Sequence, residues 1–291
     1  MANKIFTIKL KGAIATAILV ASGLTAAVNA NETLWVLTQN QNIVKIKASR
    51  PGQALDRKTL TGLPTNDQLL GIDYRVAYGK LFTFSDKGVL YTIDTGTGAL
   101  TPITRPESQG TVSAVSFTRF SGEFGFDFNP AADRIRVVNP RRENLRLHPE
   151  TGSVAATDPN LVYAPTDPNA DQAPRIGAAA YTYNTKNDKL TTNYAIDLAL
   201  GNLVLQGSHE GDPTVVSPNK GVLFTVGPLG LGPLARASFD IADVSNRALA
   251  ALKPAATGKT RLYEINLETG KAKTLGTLLN GQAVRGIAIE P

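Results

Sequence analysis

The sequence contains no cysteine, and this absence excludes several classes of protein. A chain without cysteine cannot form disulfide bonds, use a thiolate nucleophile, or bind zinc or iron–sulfur clusters through sulfur. Histidine is scarce, with only His148 and His209. Neither lies in a Gly-x-Ser-x-Gly or His-x-x-x-His context, so the sequence indicates neither a serine-hydrolase triad nor a histidine-ligated metal site.

Long hydrophobic runs are also lacking, apart from one near the N-terminus. Three lysines precede an uncharged run of 13 residues, 12–24, and small residues follow up to Ala30. This pattern predicts a secretory signal peptide over residues 1–30, cleaved after Ala30. The run is too short for a membrane-spanning helix, which needs about 20 apolar residues.

Without the predicted signal peptide, the chain has little net charge. The full chain carries a formal charge of +6, and loss of the three lysines in residues 1–30 leaves +3. Such a weak excess does not indicate nucleic-acid binding. We expect residues 31–291 to form one domain that is exported to the periplasm or the extracellular medium. We expect this mature chain to be a monomer without a membrane span.

Helical periodicity is nearly absent after residue 30, whereas one short alternating segment recurs. The copies are Gly71-Ile72-Asp73-Tyr74, Gly125-Phe126-Asp127-Phe128, Ala180-Tyr181-Thr182-Tyr183, Ser238-Phe239-Asp240-Ile241 and Gly286-Ile287-Ala288-Ile289. Successive copies begin 48 to 58 residues apart. This spacing is typical of one four-stranded propeller blade.

A hairpin pattern follows each of the first four copies. It consists of an apolar strand, a turn that ends in glycine, and a second strand. The copies are Leu90–Asp94 with Gly98, Leu145–His148 with Gly152, Tyr194–Asp197 with Gly201, and Leu262–Asn266 with Gly270. We therefore predict that each blade consists of an inner strand, a second strand, and a hairpin of strands three and four. In one blade these strands cover 125–129, 134–138, 145–148 and 153–157.

The fifth copy, 286–289, is followed by only two residues, whereas the segments 33–37, 43–46 and 53–60 have no inner strand. Joining the C-terminal strand to these N-terminal strands completes a fifth blade and leaves no open sheet edge. The sequence therefore predicts an all-β fold, a five-bladed β-propeller closed through its C-terminal strand. A β-sandwich is the rival fold, but it does not require so regular a repeat.

Three segments of one predicted blade, 124–130, 133–138 and 144–147, carry a resemblance to a known family. They resemble a family of bacterial secreted proteins catalogued as domain of unknown function 4394. The resemblance extends to 71–75, 90–94 and 225–230. Small departures are Ser238, where glycine is expected, and His148, where asparagine is expected. The resemblance implies a secreted repeat protein and supplies no activity or catalytic residue.

Asp73, Asp127 and Asp240 occupy the same position in three of the five copies. Equivalent positions on inner strands would gather around the propeller axis. Three carboxylates there could bind calcium or magnesium, or could act on a glycan as acid and base. For the second role, Glu123 is the only glutamate near the strands that carry these aspartates. Alternatively the aspartates are structural, capping blade entries or pairing with the nearby arginines Arg75, Arg134 and Arg136.

Arginine is concentrated in one blade, at Arg134, Arg136, Arg141, Arg142 and Arg146. Arg134 and Arg136 are two residues apart in a predicted strand and therefore share one face. This cluster could bind an anionic partner such as an acidic polysaccharide or phosphate. The alternative is a solvated surface without a specific role.

These features favour an exported, non-enzymatic propeller that binds a small molecule, a glycan or an envelope protein. The candidate ligand-binding residues are Asp73, Asp127, Asp240, Arg134 and Arg136. No cofactor is expected, and calcium is the ion that the aspartates could take. The alternatives are an extracellular glycan hydrolase that uses the channel acids, and a structural protein of the cell envelope. No catalytic set is recognisable, which weighs against an enzyme.

Overall fold

Five twisted sheets surround a common axis in the computed structural model, which describes residues 32–103 and 123–291. The prediction of an all-β, five-bladed propeller is therefore confirmed. The predicted signal peptide, residues 1–30, lies outside the described residues. Within the two described ranges, no helix is long and apolar enough to cross a membrane.

The blades are numbered from the N-terminus, and each contains four or five strands. Blade 1 consists of β1 (Thr33–Thr38), β2 (Asn42–Lys47), β3 (Asp56–Thr59) and β21 (Val284–Ile289). Blade 2 consists of β4 (Leu69–Arg75), β5 (Lys80–Ser85), β6 (Leu90–Ile93) and β7 (Leu100–Pro102). Blade 3 consists of β8 (Gly125–Asn129), β9 (Arg134–Val138), β10 (Asn144–Leu147) and β11 (Val154–Thr157).

Blades 4 and 5 complete the ring. Blade 4 consists of β12 (Val162–Tyr163), β13 (Ile176–Tyr181), β14 (Asn193–Asp197), β15 (Asn202–Gln206) and β16 (Val222–Pro228). Blade 5 consists of β17 (Leu234–Ile241), β18 (Ala248–Pro254), β19 (Arg261–Ile265) and β20 (Ala272–Thr277). The inner strands, in ring order, are β21, β4, β8, β13 and β17. Each blade is antiparallel, except that β12 pairs in parallel with the outer strand β16.

The ring closes where the sequence predicts. The C-terminal strand β21 pairs antiparallel with β1, with Leu34 opposite Ile289 and Val36 opposite Ile287. Both strands are almost completely buried. This pairing gives blade 1 its inner strand and removes two open sheet edges at once.

Blade 4 departs from the predicted strand order. The hairpin at Tyr194–Asp197 and Gly201 connects the second and third strands, β14 and β15, instead of the third and fourth. The assignment was wrong because β14 pairs directly with the inner strand β13, so the segment 182–192 only connects the two. In blades 2, 3 and 5 the corresponding hairpin connects the third and fourth strands, as predicted.

Apolar side chains between neighbouring blades form the core, and one of the five seams is less apolar than the rest. The seam between blades 3 and 4 has a cluster of 8 buried apolar residues. The clusters at the other four seams contain 11 to 16. Because apolar burial is the main favourable term in folding, the 3/4 seam depends more than the others on polar contacts.

Candidate functional site

Three aspartates from three blades meet near the axis. Asp73 lies on β4, Asp127 on β8 and Asp240 on β17, and one carboxylate oxygen from each lies within 4.8 Å of the others. Their exposed fractions are 5%, 4% and 7%. The structure thus brings together the aspartates that the repeat places in equivalent positions, while ligand binding by them stays a prediction.

Each of these carboxylates joins its own blade to the next one around the ring by accepting a hydrogen bond from a backbone N–H. The pairs are Asp73 Oδ2 with Phe128 N at 2.7 Å, Asp127 Oδ2 with Tyr181 N at 2.9 Å, and Asp240 Oδ2 with Ile289 N at 2.5 Å. The inner strand of each blade has a free edge towards the axis, so its N–H groups need such partners. The aspartates therefore connect blades 2 and 3, blades 3 and 4, and blades 5 and 1.

The other two blades carry alanine at the aspartate position. Tyr181 donates its backbone N–H from the strand position that follows the aspartate in other blades, so its predecessor Ala180 is the equivalent residue. In blade 1 the equivalent is Ala288, which precedes Ile289. The sequence alignment that placed Thr182 at this position was wrong by two residues. Successive side chains of a strand point to opposite faces, so an alignment shifted by two residues still assigns each residue to the correct face. The alternation of apolar and polar residues therefore does not reveal such a shift.

Burial determines the protonation of the cluster. Loss of hydration raises the pKa of Asp73 and Asp127 well above the ordinary value, and the neighbouring aspartates raise it further. Burial also raises the pKa of Asp240 to about 7. Asp243 and Glu32 add to that increase, and the nearby Tyr183 has a raised pKa for the same reasons. The three carboxyl groups therefore retain protons at pH values where exposed aspartates are ionised.

The arginines predicted to pair with the axial aspartates form their hydrogen bonds with other residues. Arg75 binds Asp133 through two hydrogen bonds of 2.8 and 2.6 Å and also contacts Glu150. Arg134 donates to the backbone oxygen of Asp133. Across residues 32–103 and 123–291, no ion pair joins an arginine to the three axial aspartates. Their structural role is therefore the connection of blades through backbone N–H groups.

Burial and an ion pair oppose a role of the axial aspartates and Glu123 as acid and base on a glycan. Glu123 forms an ion pair with Arg236 at 3.0 Å, and burial raises its pKa to about 7. The aspartates are also buried too deeply to contact a glycan chain.

A pocket of about 360 Å³ opens at the seam between blades 3 and 4 and contains the two predicted arginines. Arg134 and Arg136 line it together, which places both on the face towards blade 4. Further lining comes from Arg146, Tyr181, Lys189, His209, Glu210 and Asn219, among others. The volume lies within the range of about 300–1,000 Å³ that is usual for small-molecule sites.

A layer of polar side chains fills the seam beneath this pocket. We call it the 3/4 polar layer; it consists of Arg136, Asn144, Arg146 and Asp158 from blade 3, and Tyr181, Asn193, Gln206 and Asn219 from blade 4. Its centre is Arg136, which is 1% exposed. Its partners are Tyr181 Oη at 3.0 Å, Asn144 Oδ1 at 2.6 Å, Asp158 Oδ2 at 2.7 Å and Asn219 Oδ1 at 2.6 Å.

The 3/4 polar layer carries an excess positive charge. Asp158 is shared by two guanidinium groups, with Arg136 on one side and a bidentate contact from Arg146 at 2.8 and 2.9 Å on the other. Asp127 lies directly opposite Arg136 in the strand pairing, but its raised pKa lowers the negative charge that it carries. In this layer one carboxylate therefore balances two arginines. At the pocket wall Arg134 and Lys189 add two positive charges and Glu210 adds one negative charge, so the excess remains positive.

Several buried polar atoms around this pocket have no partner. Asn193 is 1% exposed, and neither its amide oxygen nor its amide nitrogen has a hydrogen-bond partner within residues 32–103 and 123–291. Gln206 Oε1 and Glu210 Oε2 also have no partner there. Asn193 lies opposite Tyr181 in the strand pairing, so both project towards blade 3. Arg136 has five N–H donors, and its four hydrogen bonds leave one Nη2 proton without a partner in the described part of the chain. Such groups are costly unless a ligand or water binds them.

The sequence identified part of this pocket and missed the rest. The clustering of arginine identified Arg134 and Arg136. Asn193, Gln206 and Glu210 lie in segments without a charge run or motif. Only the pairing of β14 with β13 and with β15 brings Asn193 and Gln206 to the seam. Both are polar residues at the ends of short strands, where the sequence does not distinguish a buried residue from one in a loop.

Comparison with known proteins places the chain in a family and adds no activity. A family model described as "Domain of unknown function (DUF4394)" matches residues 42–288. No curated protein matches the chain. A crystal structure of a nidogen/laminin complex has 12% identity and a TM-score of 0.48, covering 89% of this chain and 98% of that one. A structural-genomics protein of unknown function from Bacteroides thetaiotaomicron VPI-5482 has 11% identity and a TM-score of 0.48, covering 84% and 55%.

Proposed function

Because the chain belongs to the family described as domain of unknown function 4394, which assigns no reaction, we propose a function from the geometry of the chain itself. The protein is an exported, non-enzymatic propeller that binds an anionic ligand in the pocket between blades 3 and 4. The observation that carries this proposal is the buried guanidinium of Arg136 beneath an open pocket, in a layer where one carboxylate balances two arginines.

The chemistry of the pocket supports binding of an anion. A buried positive charge without full compensation is unfavourable, and an anion that enters the pocket would supply the missing charge. Arginine groups hold carboxylates and phosphates through pairs of hydrogen bonds. The free N–H of Arg136 and the lining residues Arg134 and Lys189 provide such donors.

Export is part of the proposal and is supported by the signal-peptide pattern of residues 1–30. The absence of cysteine is consistent with a ring that is closed by strand pairing instead of disulfide bonds. Binding without catalysis is supported by the surroundings of the pocket. His209 lies on an exposed loop, and its Nδ1 contacts the backbone oxygen of Glu210 at 2.7 Å. Among the residues that the structure describes, no nucleophilic side chain is hydrogen-bonded to it.

The test compares anions with neutral molecules of similar size. We expect millimolar D-galacturonate or inorganic phosphate to raise the Tm of the mature protein, because a ligand that binds only the folded state stabilises it. D-galactose should not raise the Tm. Isothermal titration calorimetry at two salt concentrations should show weaker binding at the higher one, since exposed charges are screened.

Two matched variants locate the site. Lys189→Gln removes one exposed charge from the pocket wall, and Lys273→Gln removes one exposed charge from blade 5. We expect Lys189→Gln to weaken anion binding and Lys273→Gln to leave it unchanged. If no anion binds, or if both variants bind as tightly as the native protein, the proposed function is wrong.

A further inference from the structure

The pocket contains hydrogen-bond acceptors as well as cationic donors, and the acceptors restrict the ligand further. Glu210 lines the pocket, and its Oε2 atom is buried without a donor. Inorganic phosphate or a simple carboxylate offers negative charge but few donors, so it would leave this Glu210 oxygen unsatisfied.

On this basis, and resting on the proposed function, we infer that the pocket selects a hydroxylated organic acid, of the sugar-acid class. Its carboxylate binds on the side of Arg136 and Arg134, and one of its hydroxyl groups donates to Glu210. The same chemistry is offered by a free sugar acid and by the terminal residue of an acidic glycan.

Specificity follows from the cost of unpaired groups. A site built to bind a hydroxyl group discriminates strongly against an analogue that lacks it, because the polar group of the protein is then left buried without a partner. The pocket has both kinds of group: the arginines of blade 3 are positively charged donors, and Glu210, in the loop after β15, is a negatively charged acceptor. A ligand that satisfies both must carry an anionic group and donors on one small framework.

The Glu210→Gln variant tests this inference directly. Glu210 is only partly buried, and within residues 32–103 and 123–291 its side chain forms no hydrogen bond that the substitution would break. The glutamine side chain keeps one acceptor oxygen but loses the charge, so a hydroxyl donor would lose a charge-assisted hydrogen bond. We expect Glu210→Gln to weaken D-galacturonate binding about tenfold, which corresponds to about 1.4 kcal/mol.

Acetate and phosphate are the matched anionic probes, because both carry negative charge but lack the several hydroxyl groups of D-galacturonate. Removal of the negative charge at Glu210 should leave their binding unchanged or make it tighter. We expect native protein to bind D-galacturonate at least about tenfold more tightly than acetate, because only the sugar acid provides donors to Glu210. A short oligogalacturonide, compared with the monomer, distinguishes a glycan terminus from a free sugar acid.

The outcomes separate this inference from the function on which it rests. If acetate and phosphate bind as well as D-galacturonate, and Glu210→Gln affects all three equally, the sugar-acid inference is overturned and anion binding stands. If none of the anions binds, the proposed function itself fails. Circular dichroism of Glu210→Gln, with the Tm of the native protein as reference, shows whether a loss of binding is due to unfolding.

Discussion

Asp240 is a carboxyl group that holds its proton more tightly in the folded protein than in the unfolded chain. Its pKa in the fold is about 7, compared with an ordinary value of 3.8. Between these values the folded state binds more protons than the unfolded state, so the free energy of unfolding falls as the pH rises. The stabilisation from this group is complete below the ordinary pKa and is lost as the pH rises through about 7.

We therefore predict that the protein loses thermal stability as the pH rises from about 4 to about 7. The raised pKa of Asp73 and Asp127 acts in the same direction, and the nearby Asp243, Glu32 and Tyr183 add no positive charge to oppose it. Asp240→Asn removes one titrating group and should make the Tm less dependent on pH. The exposed Asp188→Asn is the control and should show the native profile. An unchanged profile in Asp240→Asn would contradict the prediction.

Calcium provides a second test at the same cluster. The sequence raised calcium as an ion that the three aspartates could bind, and their oxygens lie close enough to share one cation. At about pH 8, where more of the carboxyl groups are ionised, bound calcium would raise the Tm by mass action. The increase should be lost in Asp240→Asn. A native protein whose Tm is unchanged by millimolar calcium would exclude the ion.

At the residue scale, the sequence predicts which side chains meet at the axis better than it predicts their hydrogen-bond partners. The repeat identified Asp73, Asp127 and Asp240 because equivalent positions in a closed ring must approach one axis. It could not show that their hydrogen bonds reach backbone N–H groups of the next blade. Every residue except proline has such an N–H group, so the residue types do not reveal which one is the donor. Ala180 in blade 4 shows the same limit, because only the strand pairing reveals that it stands where other blades have aspartate.

At the scale of strands, Gly125 sets how closely blades 3 and 4 approach. A Cβ atom at this position would lie 2.5 Å from Val138 Cγ2 and 2.7 Å from the backbone nitrogen of Ala179. The backbone of the neighbouring inner strand cannot move aside without disturbing its own sheet. Glycine is therefore required here by close packing and not by an unusual backbone angle.

We predict that Gly125→Ala destabilises the fold by about 1–3 kcal/mol, the usual cost of overpacking a core. Gly52→Ala is the matched control, because a Cβ atom there would meet only Thr277 O at 3.5 Å, an ordinary contact. Urea unfolding of the two variants measures the difference. Equal stability of Gly125→Ala and the native protein would show that the seam can widen without cost.

Regular blades were predictable strand by strand, and the irregular blade was not. The predicted inner and second strands of blade 3, 125–129 and 134–138, agree with β8 and β9 residue for residue. Blade 4 deviates because a fifth strand, β12, pairs in parallel with β16 and has only two residues. A strand so short has no periodicity to detect, and its partner lies about 60 positions away, outside any local pattern.

At the scale of the whole molecule, the pairing of β21 with β1 holds the ring closed. We predict that deletion of Val284–Pro291 abolishes cooperative folding, since blade 1 would lose its inner strand and blade 5 its neighbour. Deletion of residues 290–291 alone is the control. It removes the ion pair of Glu290 with Lys45 but keeps β21, so it should fold with a modest loss of stability. Thermal unfolding by circular dichroism distinguishes these outcomes, and a native Tm for the longer deletion would refute closure through β21.

The closing strand also sets the order of events during synthesis. Lys45 and Glu290 are 245 positions apart yet touch across blade 1, so the first blade to leave the ribosome is the last to be completed. Contacts of such large sequence separation form slowly, because the loop must close before they contribute. A chain with this topology stays without its final fold until β21 is available. If the protein is exported as we propose, this delay would keep the chain unfolded while it crosses a membrane.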